Sequence, residues 1–303
     1  MQVTWNGDGP AITGRAHAEL GPGDVTPTVT GTNVADAAGV AEALRDVLAR
    51  LPRRPSRVAL VVPDSAAKVS IVRFDMLPSR AGDLDDLVRW RVGRTVPFDI
   101  DEAQVSYTPG AAIGDGGREL VVAVMHRDVV AAYERVCTAA GAHAGVVDLA
   151  SFNLINAVLA AVPSVAADDW MLVQAAVGGS TLAIVRGGAL VFYRNRAAGD
   201  AATLADLVHQ TVMYYQDRLG GRGFGRALLA NEPYLEAAGL GRAASRRAIE
   251  ERLGGGDLEW LGAVLESGVK DRTGADRAAL DALAAPLGVL LRGGLRKPSP
   301  TTG

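Results

Sequence analysis

The stretch that decides the fold is residues 77–107, which read LPSRAGDLDDLVRWRVGRTVPFDIDEAQVSY. Asp83 is predicted to cap the first turn of an amphipathic helix, because carboxylates accept bonds from unpaired backbone N–H groups there. Pro97 is predicted to end that helix, since the residue before a proline is pushed toward extended geometry. A strand over 103–107 is expected to follow. Four apolar residues share one helical face: Leu84, Leu87, Val88 and Val92.

Composition narrows the class of protein. The chain has 303 residues, of which 49% are hydrophobic, and a formal net charge of -3. This indicates a well-packed globule with no electrostatic footprint for nucleic acid. The first residues lack the basic and apolar regions of a secretory signal, and the apolar runs fall short of the ~20 residues of a membrane helix. We therefore expect a cytoplasmic protein that meets the membrane only through partners.

Residues with catalytic or metal-binding potential are few. Cys137 is the single cysteine and lies on a predicted helix with no His or Asp beside it, so we expect a small buried apolar residue. The histidines are scattered without metal-ligand spacing. Neither a catalytic residue nor a metal site is predicted.

Alternating helix and strand signals predict an α/β lobe at the start of the chain. Within it, Pro63-Asp64-Ser65 is expected to be the turn between two strands of a hairpin. The predicted elements are strands at 2–5 and 11–20, a helix at 36–51, and strands at 58–62 and 69–74.

Residues 77–143 predict a small α+β subdomain inserted into that lobe. The second half then repeats the strand and turn pattern of the first. Residues 1–76 and 144–165 are assigned to the first lobe, 166–296 to the second lobe and 297–303 to a flexible tail. Further predicted elements are strands at 103–107, 119–125, 171–175, 180–185, 190–194 and 227–230, helices at 128–140, 151–161, 204–219, 245–253 and 275–291, and a short helix ending at Gly239.

Several short motifs occur in an order and spacing that resemble the PilM family of type IV pilus assembly proteins. The resemblance covers about residues 58–292 and implies a two-lobed actin and sugar-kinase-like α/β fold with a small α+β insertion in the first lobe. It also implies a scaffold that binds partners. The motifs are Leu77-Pro78, Val96-Pro97-Phe98, Val122-Ala123-Val124, Ala140-Gly141 before Val147-Asp148, Val191-Phe192-Tyr193-Arg194, and Ala285-Pro286-Leu287-Gly288.

Actin-like ATPases hold the phosphates between two glycine-bearing hairpin turns, and the resemblance places these turns at 3–10 and 174–181. In the first, the uncharged Asn6 stands near the acidic position. In the second, Ala176 takes the acidic position and cannot coordinate a metal. What remains there is a degenerate phosphate turn, and its residues are Gly178, Gly179, Ser180 and Thr181.

The adenosine-binding strand of the family ends in two glycines. Here Asn231 and Glu232 stand after the apolar run 227–230. All three nucleotide elements are thus altered together, which predicts a pseudo-ATPase with no resident cofactor. An active ATPase that binds ATP and Mg²⁺ is the alternative.

PilM-like proteins bind the cytoplasmic N-terminal peptide of the inner-membrane protein PilN, in a groove between the first lobe and the inserted subdomain. The resemblance places the lining on the helix 83–95 and on the neighbouring strands. Trp90 lies off the apolar stripe and is expected to face the partner; alternatively, it folds onto a strand and caps the core. The predicted contact residues are Leu87, Trp90, Tyr107 and Val122.

A further alternative is the cytoplasmic region of GspL, the related protein of type II secretion. That family continues into a membrane-spanning helix after its actin-like part, whereas this sequence ends at Gly303. The pilus-type arrangement is therefore expected.

Overall fold

The computed structural model describes residues 1–6, 9–114, 116–176, 178–197, 203–231, 235, 242–254 and 256–295. The predicted short helix ending at Gly239 and the tail 297–303 lie outside these residues.

The first half of the chain carries the first lobe and the inserted subdomain. Most predicted elements are present within a few residues of their expected bounds. In chain order they are β1 (Gln2–Asn6), β2 (Gly9–Gly14), α1 (Ala37–Ala49), β3 (Arg57–Val62), β4 (Lys68–Phe74), α2 (Ala81–Val92), β5 (Ala103–Ile113), β6 (Gly117–His126), α3 (Arg127–Ala139), β7 (His143–Leu149) and α4 (Ala150–Ala161).

The second half follows the same alternation of helices and strands. It adds three elements that the sequence did not predict, namely β12, α7 and β13. The helix predicted at 204–219 is confirmed at both ends. The elements are β8 (Trp170–Ala176), β9 (Gly179–Arg186), β10 (Ala189–Ala197), α5 (Leu204–Leu219), β11 (Arg226–Ala230), α6 (Arg242–Arg252), β12 (Leu258–Trp260), α7 (Leu261–Gly268), β13 (Lys270–Asp271) and α8 (Arg277–Leu295).

The pairing in the first lobe differs from the prediction at one turn. β1 pairs with β2 in an antiparallel hairpin, whereas β3 pairs in parallel with β7. The hairpin predicted around Pro63-Asp64-Ser65 is wrong, because residues 64–66 form a short 3₁₀ turn and β4 pairs with β6. The inserted subdomain thus lies within the crossover that brings β7 alongside β3 in parallel.

The strand predicted at 11–20 ends at Gly14, and the described residues 15–36 form no further strand. This segment contains Pro22 and Pro27, which lack the backbone N–H that a ladder needs. One isolated bridge joins Val25 to Val34. The third strand of the β1-β2 sheet is instead β13, which comes from near the end of the chain and pairs in parallel with β2.

The inserted subdomain is a three-stranded antiparallel sheet in the order β4-β6-β5, with a helix on each face. Its sheet includes β4, whose residues were predicted to belong to the first lobe. Alternate residues of β6 face opposite ways, so Val122 packs with Val88 of α2, whereas Val121 packs in the cluster that contains Val129 of α3. Val96 is extended, which confirms Pro97 as the end of the helical segment. α2 begins after Arg80, so Asp83 lies within the first turn and the prediction that it caps the helix is wrong.

A five-stranded sheet in the order β10-β9-β8-β11-β12 forms the second lobe. One face of β8 carries Trp170 and Leu172, which pack in a cluster with α4, α7 and α8. The opposite face carries Met171 and Val173, which pack against α5 and α6. The two faces are both apolar, as expected for a sheet covered by helices on each side.

Candidate functional site

The cleft between the lobes is occupied by a buried carboxylate. Asp64 follows β3 in the first lobe and is only 4% exposed. Its Oδ1 accepts hydrogen bonds from the Ser151 backbone N–H at 3.1 Å and from Ser151 Oγ at 2.8 Å. Its Oδ2 accepts one from Thr181 Oγ1 of the second lobe at 2.9 Å. One carboxylate therefore ties the start of α4 to β9 across the cleft.

Burial sets the protonation behaviour of this cluster. Desolvation raises the pKa of Asp64 from its ordinary value, and the hydrogen bonds from Ser151 and Thr181 oppose this only in part. The Tyr193 hydroxyl lies 3.4 Å from Ser151 Oγ. Burial, together with the charge of Asp64, raises the pKa of Tyr193 well above its usual value. Each group is thus pushed toward its neutral form.

The predicted phosphate turn is engaged by the protein itself. Thr181 is 2% exposed and its hydroxyl donates to Asp64 while accepting from Asn195 Nδ2 at 2.9 Å. Ser65 Oγ lies 3.3 Å from the Gly178 carbonyl oxygen. A Cβ added at Gly178 would lie 3.0 Å from Pro27 Cγ, so the proline packs directly on the turn. Ser180 is half-buried.

Strand packing explains the glycine at 179. Gly179 has a φ of +144°, and a Cβ there would overlap the carbonyl oxygen of Arg196 on β10. A side chain is therefore excluded by the neighbouring strand, whatever the turn binds.

The other two predicted nucleotide elements lie only partly within the described residues. Asn6 pairs with Gly9 at the end of the β1-β2 hairpin, whose tip residues lie outside the described part of the chain. Asn231 adopts a φ of +59°, a backbone conformation that favours glycine. Its position after β11 thus keeps glycine-like geometry with a side chain attached. Glu232 lies outside the described residues.

A second cleft, which we call the α1-α3 groove, is open and lies between the first lobe and the inserted subdomain. It has a volume of about 560 Å³. Small residues such as Ala38 and Ala132 line it, and His126 and Arg135 contribute polar groups. The small side chains along the two helices leave this space open.

One wall of the α1-α3 groove is built by a buried amide. Asn33 donates from Nδ2 to the Thr28 carbonyl at 2.8 Å and accepts from the Thr28 N–H at 3.1 Å. The Tyr133 hydroxyl of α3 donates to Asn33 Oδ1 at 3.3 Å. Burial raises the pKa of Tyr133 to about 12. These bonds hold the irregular segment 28–34 against α3.

His126 lies at the end of the α1-α3 groove, where α3 begins. Its Nδ1 accepts a hydrogen bond from the Asp128 N–H at 3.1 Å and so caps α3. The ring meets Phe98 edge-on at a centroid distance of 5.0 Å. The Val96-Pro97-Phe98 motif thus supports the groove through this histidine. Sequence reasoning missed this role, because a lone histidine before a helix carries no distinctive spacing.

The predicted contact residues lie away from this groove. Val122 is fully buried between its sheet and α2, so its prediction as a partner contact is wrong. Leu87 is half-buried in the same cluster, and Tyr107 donates from its hydroxyl to Asp85 Oδ1 at 2.5 Å. Trp90 is 68% exposed, which excludes the alternative that it caps the core. α2 covers the opposite face of the subdomain sheet from α3.

Cys137 is buried, as predicted, and burial raises the pKa of its thiol. Within the described part of the chain, His, Cys, Asp and Glu do not form a group of three that could hold a metal ion. The described helices include none with the length and apolar character needed to span a bilayer.

Two lobes around a central cleft, with a subdomain inserted into the first, define an actin-like protein. The family model for the type IV pilus assembly protein PilM matches residues 25–217. The chain therefore belongs to the PilM family. The search of curated proteins gave no match.

A solved structure with high coverage supports the fold, and two weaker matches accompany it. The chain is similar to a structure described as the PilM-PilN type IV pilus biogenesis complex, with a TM-score of 0.77 and 16% identity over 97% of this chain and 95% of the other. The cytoplasmic domain of EpsL from Vibrio cholerae matches with a TM-score of 0.41 and 11% identity over 62% of this chain and 66% of the other. The ethanolamine utilization protein EutJ from Carboxydothermus hydrogenoformans matches with a TM-score of 0.43 and 10% identity over 85% of this chain and 75% of the other.

Proposed function

We propose that this PilM-family protein is a cytoplasmic scaffold of a type IV pilus or related secretion machine, bound to the inner membrane through a PilN-like partner. The partner's cytoplasmic N-terminal peptide would occupy the α1-α3 groove. The observation that carries this proposal is the contrast between two clefts: the interlobe cleft is filled by Asp64 and its donors, whereas the groove is open. The PilM-PilN complex provides the class of partner.

The proposal includes the absence of ATP turnover. Ala176 offers no carboxylate for a metal, and the Thr181 hydroxyl is already bonded to Asp64. A bound phosphate would have to displace that contact and find room beside the buried Asp64 carboxyl group. We expect the unfolding midpoint to stay unchanged when ATP and Mg²⁺ are added, since only a ligand of the native state raises it. A metal-dependent rise would favour the ATP-binding alternative.

The exposed face of α2 is the alternative docking surface. Trp90 is exposed on α2, and the half-buried Leu87 and Tyr107 belong to the apolar cluster beneath this helix, so a peptide could pack there instead. Aromatic side chains frequently anchor interfaces. The two surfaces can be separated by mutation because they lie on opposite sides of the subdomain sheet.

The test is copurification with the products of neighbouring genes, followed by titration of the captured partner's N-terminal peptide. Ala38→Trp places a bulky ring in the groove and should weaken peptide binding about thirtyfold, the equivalent of losing an interface hot spot. Ala49→Trp adds the same ring to an exposed site on α1 outside the groove and serves as the control. Unchanged binding by Ala38→Trp with loss in Trp90→Ala would move the contact to α2.

A further inference from the structure

A further cavity lies beside the sheet in which β13 pairs with β2, apart from both clefts. It has a volume of about 660 Å³ and is bounded by the end of β2, the end of α1 and the first turns of α8. We call it the basic cavity, because its charged lining residues are Arg15, Arg50 and Arg272, together with His17. Among the described residues, no acidic side chain lines it. This concentration of positive charge stands out on a chain whose formal net charge is -3.

The position of one arginine is fixed by the fold. The Arg50 guanidinium donates to two backbone carbonyl oxygens, from Nε to Asp46 at 3.3 Å and from Nη2 to His17 at 2.5 Å. Carbonyl groups are uncharged acceptors, so these bonds orient the guanidinium without neutralising it. A positioned guanidinium loses less entropy when it binds an oxyanion.

The carboxylate that precedes Arg272 shapes the loop before α8. Asp271 accepts from the Thr273 N–H at 3.0 Å, from Thr273 Oγ1 at 2.7 Å and from the Ala275 N–H at 2.7 Å. Its oxygens are therefore committed to shaping the loop before α8. Arg272, which follows it, is exposed and lines the basic cavity.

The remaining wall is apolar. Pro52 from the end of α1 and Leu283 from α8 face the same space as the arginines. A ligand that suits both walls carries an anionic head and a carbon-rich remainder. Guanidinium groups match the geometry of phosphate oxygens, to which they can donate two parallel bonds.

We infer that the basic cavity binds an organic phosphate, with the phosphate on the arginines and the attached organic group on the apolar wall. A phospholipid headgroup and a free phosphorylated small molecule share this chemistry. This inference does not depend on the proposed peptide groove.

The test uses the full chain and two probes. sn-Glycerol 3-phosphate is titrated by calorimetry as the soluble probe, and flotation is measured with vesicles of phosphatidylglycerol and phosphatidylcholine against phosphatidylcholine alone. The double variant Arg15→Gln with Arg50→Gln should bind whichever probe the wild type binds at least about tenfold more weakly, as expected for the loss of charge-assisted hydrogen bonds. Arg91→Gln, an exposed arginine on α2, is the matched control and should bind as the wild type does.

Binding in the vesicle arm alone identifies the lipid headgroup as the source, and binding in the soluble arm alone identifies a small phosphate. Either result, with loss in the double variant and none in Arg91→Gln, supports the inference. Absence of binding in both arms overturns it. So does equal binding by the wild type and a double variant that retains the wild-type unfolding midpoint.

Discussion

The first lobe borders two clefts that differ: one is bridged by hydrogen bonds of the protein itself, and the other is open. At the interlobe cleft, Asp64, Ser151 and Thr181 satisfy one another and leave little polar capacity for a ligand. At the α1-α3 groove, small residues leave a volume of about 560 Å³. In this actin-like fold the interlobe cleft is therefore bridged by hydrogen bonds of the protein itself, whereas the α1-α3 groove is open.

The irregular segment 21–36 borders both clefts. Pro27 packs on Gly178 at the interlobe cleft, while Asn33 fixes the wall of the α1-α3 groove. The comparison therefore predicts distinct effects for changes on either side of this segment. Substitutions at the filled cleft should chiefly alter stability, and those at the groove should alter binding.

The largest effect is expected at Asp64. Asp64→Ala leaves the Ser151 and Thr181 donors buried without their acceptor and should lower the free energy of unfolding by about 3 kcal/mol. Urea unfolding measures this loss. Asp75→Ala removes an exposed carboxylate and should stay within about 0.5 kcal/mol of the wild type. A loss at Asp64 no larger than at Asp75 would contradict the description of the cleft as filled.

A smaller loss is expected at the groove wall. Asn33→Ala removes three hydrogen bonds and should cost about 2 kcal/mol, whereas Tyr133→Phe removes one and should cost about 1 kcal/mol. Because segment 28–34 loses its anchor, Asn33→Ala should also bind the partner peptide more weakly than Tyr133→Phe. Calorimetric titration of both variants provides the measurement. Wild-type peptide affinity in a folded Asn33→Ala protein would show that this wall is not part of the binding surface.

The smallest effect is a dependence of stability on pH. Because burial raises the pKa of Asp64 in the folded state, the native protein holds this proton more tightly than the unfolded chain does. The resulting stabilisation is complete below the unfolded pKa of about 4 and is lost as pH rises through the folded pKa. Asp64→Asn removes this dependence.

Urea unfolding of the wild type and Asp64→Asn over a series of pH values tests this sign. The wild type should lose stability relative to the variant as the pH rises. A difference that is constant, or that moves in the opposite direction, would show that Asp64 is not held toward its neutral form.

The sequence predicted the fold well where local signals agree with pairing. The apolar stripe of α2, the proline at its end and the long helix α5 were all found from spacing alone. The prediction of a β3-β4 hairpin was wrong, because a turn sequence does not reveal that β3 pairs with β7. That strand follows the whole subdomain in the chain. Short β12 and β13 were missed since two or three residues carry too little pattern.

The site was harder to predict, because its residues come together only through tertiary contacts. Ala176 and Thr181 were predicted to belong to an altered phosphate turn, which stays a prediction, but nothing in the sequence linked Thr181 to Asp64, which lies 117 residues earlier. Val122 was wrongly predicted as a surface contact, because the sequence alone does not show that this position of β6 faces α2. Asn33 and Tyr133, 100 residues apart, give no shared sequence signal.

Hydrogen exchange of the protein with and without the partner's N-terminal peptide tests the central claim most directly, because it reports every segment at once. We predict slowed exchange at 31–38 and along α3, with little change on α2 or at 178–181. Protection confined to α2 around Trp90, or to the interlobe turn at 178–181, would contradict the assignment of the open groove as the binding site.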